Sequence, residues 1–253
     1  MPRQARQSSE TGIYHIMLRG INRQSIFEDD HDREKFLQVI NKYKEISMYQ
    51  VFGYCLMDNH IHLLLKEGKE PLATTMKRIG GCYVYWYNMK YERCGHLFQD
   101  RYKSEPVEDD NYLLNVLRYI HQNPLKAKLV NHIQEYRWSS YGEYLSEKRI
   151  IESAVIFDIL SSEGISKAKG IFVDFMVQSD DSSFLDINEK KKITDKEAKE
   201  LIVNHGNINT AELHKLDRDK RDEVLKKLKK IQGLSTRQIA RLTGISQSVI
   251  SRA

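Results

Sequence analysis

Short apolar runs in the first third of the chain have the composition of β-strands. Residues 12–18 (GIYHIML), 50–57 (QVFGYCLM) and 60–65 (HIHLLL) are rich in branched and aromatic side chains, which strands favour. Asp58 and Asn59 separate the last two runs, and such a pair is typical of a tight turn. The pattern therefore predicts three strands, the last two joined by a turn.

Apolar residues between positions 30 and 47 recur instead every three or four residues, which is the helical spacing. Pro71 begins a second predicted helix that reaches about residue 90, and a third runs from about 109 to 122 before Pro124 ends it. A short strand over 101–105 precedes the third helix. The order strand, helix, strand, strand, helix, strand, helix predicts an α+β fold, a ferredoxin-like antiparallel sheet with packed helices and one added helix.

Aromatic composition divides the chain near residues 145–150. All fourteen tyrosines, both tryptophans and all four prolines lie at or before Tyr144. So sharp a change within a single hydrophobic core is hard to obtain, and we place a domain boundary there. The predicted organisation is a first domain over 1–148, an all-α connector of unknown role over 149–218, and a small basic module over 219–253.

Charge and hydropathy narrow the class of protein. The 253 residues carry 40 Lys and Arg against 35 Asp and Glu, a net charge of +5, with 40% hydrophobic residues, which is a globular balance. No apolar run approaches the roughly 18 residues that cross a bilayer, and the polar start MPRQARQSSE disfavours a secretory signal. Three cysteines without a CxxC pair disfavour disulfides or structural zinc. We expect a cytoplasmic protein without a membrane partner.

Two histidines on the third predicted strand form the first chemical signal. His60 and His62 are two residues apart, so both imidazoles project from one face of a strand while Ile61 points to the other. Such a pair can hold a divalent metal and leave coordination positions for substrate oxygens. A surface pair without function on an edge strand is the alternative, since short motifs often occur by chance.

The end of the third predicted helix carries the second signal. Tyr119 and Asn123 are four residues apart in RYIHQNP, which places them one above the other on the same helix face. A phenol beside an amide oxygen suits a nucleophile and a third metal ligand. The alternative is a surface tyrosine followed by an asparagine that caps the helix before Pro124. His15, His96 and His121 are not assigned to the metal site.

Five segments of the chain form a distinctive series. They are YHIMLRGINRQSIF (14–27), YCLMDNHIHLLL (54–65), GHLFQDRYKS (95–104), YLLNVLRYIHQNPLKAKLV (112–130) and YRWSSYGEY (136–144). Taken together and in this order, they resemble the single-tyrosine HUH transposases and most closely the REP-associated tyrosine transposases. The resemblance covers about half of the chain.

The resemblance implies a metal-dependent transposase that acts on single-stranded or hairpin DNA. It implies His60 and His62 as the metal-binding pair, Asn123 as the third ligand, Tyr119 as the nucleophile, and Mg²⁺ or Mn²⁺ as the metal. Attack by Tyr119 would leave a 5′-phosphotyrosine and a free 3′ hydroxyl. Related enzymes work as dimers, whereas the REP-associated group can act as monomers, so a homodimer stays open.

Basic side chains near these motifs suit a path for a DNA backbone, with Tyr102 or Tyr83 as stacking faces. Each of them singly is also compatible with an ordinary solvated surface. The basic residues are Arg19, Arg23, Lys77, Arg78, Arg101 and Lys103.

The last residues of the chain, GLSTRQIARLTGISQSVISRA (233–253), have the pattern of a helix-turn-helix. Ser235 or Thr236 begins one helix, Gly244 makes the turn, and Ser246 begins a second helix. A small helical bundle with a basic face is the alternative. The residues predicted to contact DNA are Lys226 and Lys227 before the motif and Gln247, Ser248 and Arg252 on its outer face.

Other functions remain compatible with this sequence. A domesticated DNA-binding regulator would keep the fold without cutting, and the intact tyrosine, histidine and asparagine set weighs against it. A rolling-circle replication initiator or relaxase shares the chemistry, but the RYIHQNP context and the chain length favour a transposase. An unrelated metallohydrolase would need a further cluster of His and Asp ligands, which the sequence lacks.

Overall fold

An antiparallel sheet organises the first half of the chain in the computed structural model. Among the described residues its strands are β1 (Ile13–Arg19), β2 (Gln50–Met57), β3 (His60–Lys66) and β4 (Lys103–Val107). Helices α1 (Asp30–Ser47) and α2 (Leu72–Lys90) separate β1 from β2 and β3 from β4. The spatial order β2-β3-β1-β4 is that of a ferredoxin-like sheet, as the sequence predicted.

The chain forms two compact units, Met1–Asp186 and Ile187–Ala253. The structure describes residues 6–146, 150–179, 184, 195–206, 213, 216–231 and 234–253. The first unit also contains α3 (Asp110–Lys126), α4 (Tyr141–Leu145), α5 (Ala154–Leu160) and α6 (Ile165–Val177). The second contains α7 (Asp195–Gly206), α8 (Arg218–Lys229), α9 (Thr236–Thr243) and α10 (Gln247–Arg252).

The predicted connector is therefore shared between the two units. Helices α5 and α6 group with the sheet, whereas α7 groups with α8, α9 and α10. The division into functional segments at 148 and 218 stays a prediction. Within the described parts of the chain, no helix is both long and apolar enough to cross a membrane.

Both faces of the sheet are covered. Helix α3 packs against β2 and β3, on the side to which His62 points. Leu18 and Ile61 point to the opposite side, where they are 5% and 0% exposed, and Leu18 there lines a cleft together with α2. Since β1 and β3 lie in the middle of the sheet, their side chains are buried on both faces, which explains their nearly continuous apolar sequences.

Two elements extend past the ends that the sequence predicted, and each contains a proline near its end. Strand β4 covers Lys103–Val107 rather than 101–105 and contains Pro106. It lies at the edge of the sheet, where a residue without an N–H group is tolerated. Helix α3 runs past Pro124 to Lys126, because the proline ring is buried in the last turn and costs the helix a single hydrogen bond.

His121 of α3 points into the core between this helix and the helices that follow it. Its ring makes close hydrogen-bond contacts with Ser140 Oγ at 2.8 Å and with Met176 Sδ at 3.4 Å. The rings of Tyr144 and Phe172 lie 5.8 and 6.1 Å from it, centre to centre. Helices α4 and α6 are thus joined to α3 through one fully buried imidazole.

This burial makes the stability of the first unit depend on pH. Burial lowers the pKa of His121 to about 3, whereas unfolding restores a value near about 6.5. Between these values the unfolded chain binds a proton that the folded chain does not, so the free energy of unfolding falls as the pH is lowered. We expect this residue alone to remove about 2 kcal/mol between about pH 7 and about pH 5.

The substitution His121→Gln keeps a partner for Ser140 and abolishes this titration. Its loss of stability between the same two pH values is expected to be smaller than that of the unsubstituted protein by about 2 kcal/mol. Urea unfolding followed by tryptophan fluorescence measures this in the first unit, since Trp86 and Trp138 both lie there. An identical pH dependence in the two proteins would contradict the assignment.

Candidate active site

Strand β3 presents two imidazoles toward helix α3. The rings of His60 and His62 lie 5.1 Å apart, centre to centre. His62 is fully buried and His60 is partly exposed. Ile61 between them points to the other face and is also fully buried. The predicted arrangement of the pair on one face of a strand is therefore present, and it lies in the middle of the sheet rather than at an edge.

Helix α3 brings Tyr119 and Asn123 to the same place. The Tyr119 ring lies 5.6 Å from the His62 ring, edge to face, and Tyr119 is 3% exposed. Asn123 follows one turn later, and its Nδ2 donates a hydrogen bond to the Tyr119 carbonyl at 3.2 Å. This bond leaves the amide oxygen Oδ1 as the group that can act as a ligand. The tyrosine and the histidine pair, far apart in sequence, are thus neighbours in the fold.

Both histidine rings are held through Nδ1. Nδ1 of His60 lies 2.7 Å from Oδ1 of Asn59, and Nδ1 of His62 lies 3.0 Å from Nε2 of His15. The Glu105 carboxylate lies 3.9 Å from Nδ1 of His15. A carboxylate there favours a proton on that nitrogen, so Nε2 of His15 accepts and Nδ1 of His62 donates. This orientation directs Nε2 of His62 away from the hydrogen bond and toward a ligand.

His62 has the protonation state that a metal ligand needs. Burial, followed by the neighbouring His15 and His60, holds the pKa of His62 well below its ordinary value, so the ring is neutral near pH 7. Its Nε2 is buried and has no hydrogen-bond partner within the described part of the chain. Buried polar atoms are normally satisfied, and a neutral imidazole nitrogen binds divalent ions. The donor set of two imidazoles and one amide oxygen therefore fits a divalent metal.

No group of three or more His, Cys, Asp or Glu residues is arranged to hold a metal among the described residues. The candidate site does not contradict this, because its third protein donor is an asparagine. Two imidazoles and an amide leave further positions for substrate oxygens and water.

His15 is a site residue whose role the sequence analysis missed. It was left outside the metal set, and the structure places it behind His62 rather than facing a shared ligand position. Its ring is fully buried and lies 5.2 Å from that of His62 and 5.9 Å from that of Tyr119. The feature of the sequence that points to His15 is the alternation along β1, which places His15, Met17 and Arg19 on one face of the strand. The cross-strand register that pairs Met17 with His62 is not visible in the sequence.

Phe184 and Lys126 complete the surroundings of the candidate nucleophile. The Phe184 ring lies 5.1 Å from the Tyr119 ring, and the Lys126 ammonium lies 4.9 Å from the Tyr119 ring centre. A cation at this position can offset part of the negative charge of a bound phosphate. The Phe184 ring contributes to the burial of Tyr119, which is 3% exposed.

The basic residues predicted to line a DNA path occupy different surroundings. Arg19 pairs with His60 across the sheet, and Lys103 pairs with Met17, so both belong to the face that carries the histidines. Arg23 lies in the turn after β1 and Arg101 precedes β4, and both are exposed. Tyr83 was wrongly considered as a stacking face: it is fully buried, and its hydroxyl donates to the Ile26 carbonyl at 2.6 Å.

The last two helices of the C-terminal unit begin where the sequence predicted, while their assignment as a helix-turn-helix stays a prediction. Ser235 Oγ accepts a hydrogen bond from the Gln238 N–H at 3.1 Å and caps α9. Gly244 ends that helix with a φ of 72°, a left-handed conformation that favours glycine. Helix α10 follows as a helix of six residues. The residues predicted to contact DNA, all exposed here, are Lys226, Lys227, Gln247, Ser248 and Arg252.

The part of the chain that carries this site is similar to known transposases. A Haemophilus influenzae protein provisionally named as a REP-associated tyrosine transposase is 24% identical over 147 residues, which span 54% of this chain and 83% of that protein. A solved structure of a REP-associated tyrosine transposase bound to a REP hairpin covers 58% of this chain and 87% of its own, with 14% identity and a TM-score of 0.49.

A match to a protein-family model shows which residues of the chain carry the similarity. The family described as transposase IS200 like matches residues 8–123. This range contains the sheet, both histidines of β3 and the tyrosine of α3, and it ends at Asn123. Residues 8–123, the part of the chain that carries the candidate site, are thus similar to the IS200-like transposase family.

Proposed function

We propose that the protein is a transposase that cuts and rejoins single-stranded DNA, with Tyr119 as its nucleophile. The observation that carries this proposal is the packing of the Tyr119 ring against His62, with Asn123 one turn away. A phenol whose ring packs against one imidazole of a His-x-His pair, with an amide one helical turn later, has the components that phosphodiester transfer requires. The match of residues 8–123 to the IS200-like transposase family supports the same reaction class.

The proposed reaction conserves the phosphodiester bond. The Tyr119 oxygen attacks phosphorus, the bond from phosphorus to the 3′ oxygen breaks, and the phosphate stays on tyrosine through its 5′ side. The phenolic proton passes to solvent, and the departing 3′ oxygen takes up a proton to become a hydroxyl. In the reverse step the 3′ hydroxyl of another strand attacks the phosphotyrosine, so DNA is joined without a nucleotide cofactor.

Three protein donors would hold the divalent metal: Nε2 of His60, Nε2 of His62 and Oδ1 of Asn123. Mg²⁺ or Mn²⁺ bound there would polarise the scissile phosphate and offset the charge that builds up on it. The buried and unsatisfied Nε2 of His62 supports this assignment. Lys126, which lies against the Tyr119 ring, and Arg19, which pairs with His60 across the sheet, would bind the phosphates next to the one that is cut.

His15 is a positioning residue in this proposal. It fixes the ring orientation and the tautomer of His62, and Glu105 in turn orients His15. Such outer partners of metal-binding histidines are as much a part of a site as the ligands themselves. The strand that carries His15 also carries Arg19, so one strand orients the ligand and contributes to the DNA-binding surface.

The proposal extends to target selection. The resemblance to REP-associated transposases suggests hairpin-forming single strands as the substrate. The C-terminal unit would bind DNA through the basic surface of α8 and the outer face of α10. We expect the protein to act in the cytoplasm, where its DNA is found, and the resemblance leaves both a monomer and a homodimer open.

A non-cleaving DNA-binding regulator is the second candidate, and one observation favours it. Tyr119 is 3% exposed and lies under Phe184, so a phosphate reaches its oxygen only after a side chain moves. A regulator would bind DNA in this state and never form a covalent bond. The two candidates differ in whether a protein–DNA adduct forms.

The first prediction is a covalent adduct that depends on Tyr119. Labelled single strands from the DNA that flanks the gene, incubated with Mg²⁺ or Mn²⁺, are expected to migrate with the protein on a denaturing gel. Tyr119→Phe is expected to abolish the adduct and keep DNA affinity, since the lost hydroxyl makes the bond. Tyr85→Phe, at a tyrosine that is 70% exposed, is the matched control and should retain it. DNA binding without any adduct would favour the regulator.

The second prediction concerns His15. His15→Phe keeps an aromatic ring in the core and removes the hydrogen bond to His62, so Mn²⁺ affinity is expected to fall by about 10-fold to 100-fold. His15→Gln retains a side-chain hydrogen-bonding group and should recover part of the loss. Isothermal titration with Mn²⁺ measures both, and thermal unfolding without metal tests whether the fold is intact. Unchanged Mn²⁺ affinity in a folded His15→Phe protein would refute the positioning role.

The third prediction tests the basic surface of the C-terminal unit. Lys226→Gln is expected to weaken DNA binding at every sequence tested and to lower the slope of log affinity against log salt by about 1. Lys227 forms an ion pair with Glu223 at 2.9 Å, so Lys227→Gln should change the slope less. Fluorescence anisotropy over a range of salt concentrations measures both. Equal slopes in Lys226→Gln and the unsubstituted protein would mean that α8 does not contact phosphate.

A further inference from the structure

A second concave surface lies on the opposite face of the sheet from the histidines. It is a cleft of about 740 Å³ between the N-terminal half of α2 and the segment 96–102. Leu18 of β1 contributes to its floor, with Met76 and Val84 of α2 beside it. A volume of this size accommodates a ligand as large as a nucleotide.

The polar lining of the cleft is predominantly cationic. Lys77, Arg101 and Arg6 contribute three positive charges and Asp100 one negative charge. Lys77 and Arg101 are exposed, so their charged groups are accessible to a phosphate. A net positive cleft of this kind attracts a nucleic-acid backbone more strongly than a neutral metabolite.

Flat side chains form part of the wall. The Arg6 guanidinium lies 3.8 Å from the centre of the Tyr102 ring, and the same group donates to the Tyr102 carbonyl at 3.0 Å. Phe98 supplies a second, partly exposed ring. Aromatic rings and guanidinium planes are the surfaces on which unstacked bases pack in proteins that bind single strands.

The floor of the cleft is left open by two glycines within α2. A Cβ atom added to Gly80 or to Gly81 would meet no protein atom within 4 Å. Neither residue has a positive φ, so neither the backbone nor the packing requires glycine there. Each glycine weakens a helix relative to alanine. The absence of side chains at this point keeps the cleft deep enough for a ligand.

The cleft and the candidate active site lie at the same end of β1. Leu18 points into the cleft, whereas Arg19 pairs with His60 on the other face. The Gln99 N–H donates to the Arg19 carbonyl at 2.8 Å, which joins the cleft wall to the strand end. A single strand that passes around this end of the sheet reaches both surfaces.

From these observations we propose that the cleft binds one unstacked nucleotide of the single-stranded DNA substrate, close to the phosphate that is cut. The base stacks on the layer formed by Tyr102 and Arg6, and Lys77 and Arg101 bind the flanking phosphates. This inference rests on the proposed function for the identity of the strand. The cleft thereby provides a second contact to the substrate, separate from the metal site.

The decisive test fills the cleft without removing any contact within the protein. Gly80→Leu, made in the full-length Tyr119→Phe protein, adds a side chain where the first added atom meets nothing. Affinity for a fluorescent single-stranded DNA of mixed sequence is expected to fall by about tenfold or more, the range of losing one stacked base. Gly170→Leu, at an exposed helical glycine of α6, is the control and should bind as before.

A charge variant keeps the test valid if Gly80→Leu does not fold. Lys77→Gln, at an exposed position, is expected to weaken single-strand binding and lower the salt slope by about 1, whereas Lys42→Gln on α1 should change neither. Unchanged affinity in both cleft variants overturns the proposal, as does an equal effect of Gly80→Leu on duplex DNA. Binding of dAMP that single-stranded DNA does not displace would show a free-nucleotide site and also overturn it.

The same proteins separate this inference from the proposed function. Covalent adduct formation in the chain that retains Tyr119, together with unchanged binding in the cleft variants, rejects the cleft alone. Loss of single-strand affinity in the cleft variants supports the cleft, and absence of any adduct in the chain that retains Tyr119 then rejects cleavage through Tyr119.

Discussion

The packing of helix α3 against the histidine face of the sheet is the constraint on which the site depends. It buries His62 completely and places the Tyr119 ring 5.6 Å from it. One helix therefore supplies both the candidate nucleophile and the candidate amide ligand, and one strand supplies both imidazoles. Core and candidate active site are the same layer of side chains, so a substitution that loosens this packing affects stability and chemistry together.

Burial has a chemical consequence as well as a structural one. Removing His62 from water favours its neutral form, which is the form that binds metal. Burying the two ring nitrogens of His62 costs free energy. The hydrogen bond with His15 offsets this cost at Nδ1, and a ligand bound at Nε2 would offset it there. Charges act more strongly in such surroundings than in water, so the partly buried Arg19 would influence a phosphate at the candidate site more than the exposed Lys126 would.

The sequence predicted the elements that local spacing determines. The apolar runs of β1 and β3 and the helical period of α1 identify their structures, and the His-x-His and Tyr-x₃-Asn spacings identify which side chains share a face. Partners across the fold were not predictable in this way. His15 supports His62 through a cross-strand register, Phe184 reaches Tyr119 from a distant segment, and Tyr83 is buried because α2 turns that face toward the core.

The side-chain bond from Asn123 to the carbonyl of Tyr119 also limits how this helix can change during evolution. Inserting or deleting one residue between the two would turn them about 100° apart around the helix axis. No adjustment of neighbouring side chains would restore their alignment. Beyond Lys126 α3 has ended, so a change of length there leaves the alignment of Tyr119 and Asn123 along the helix unaltered.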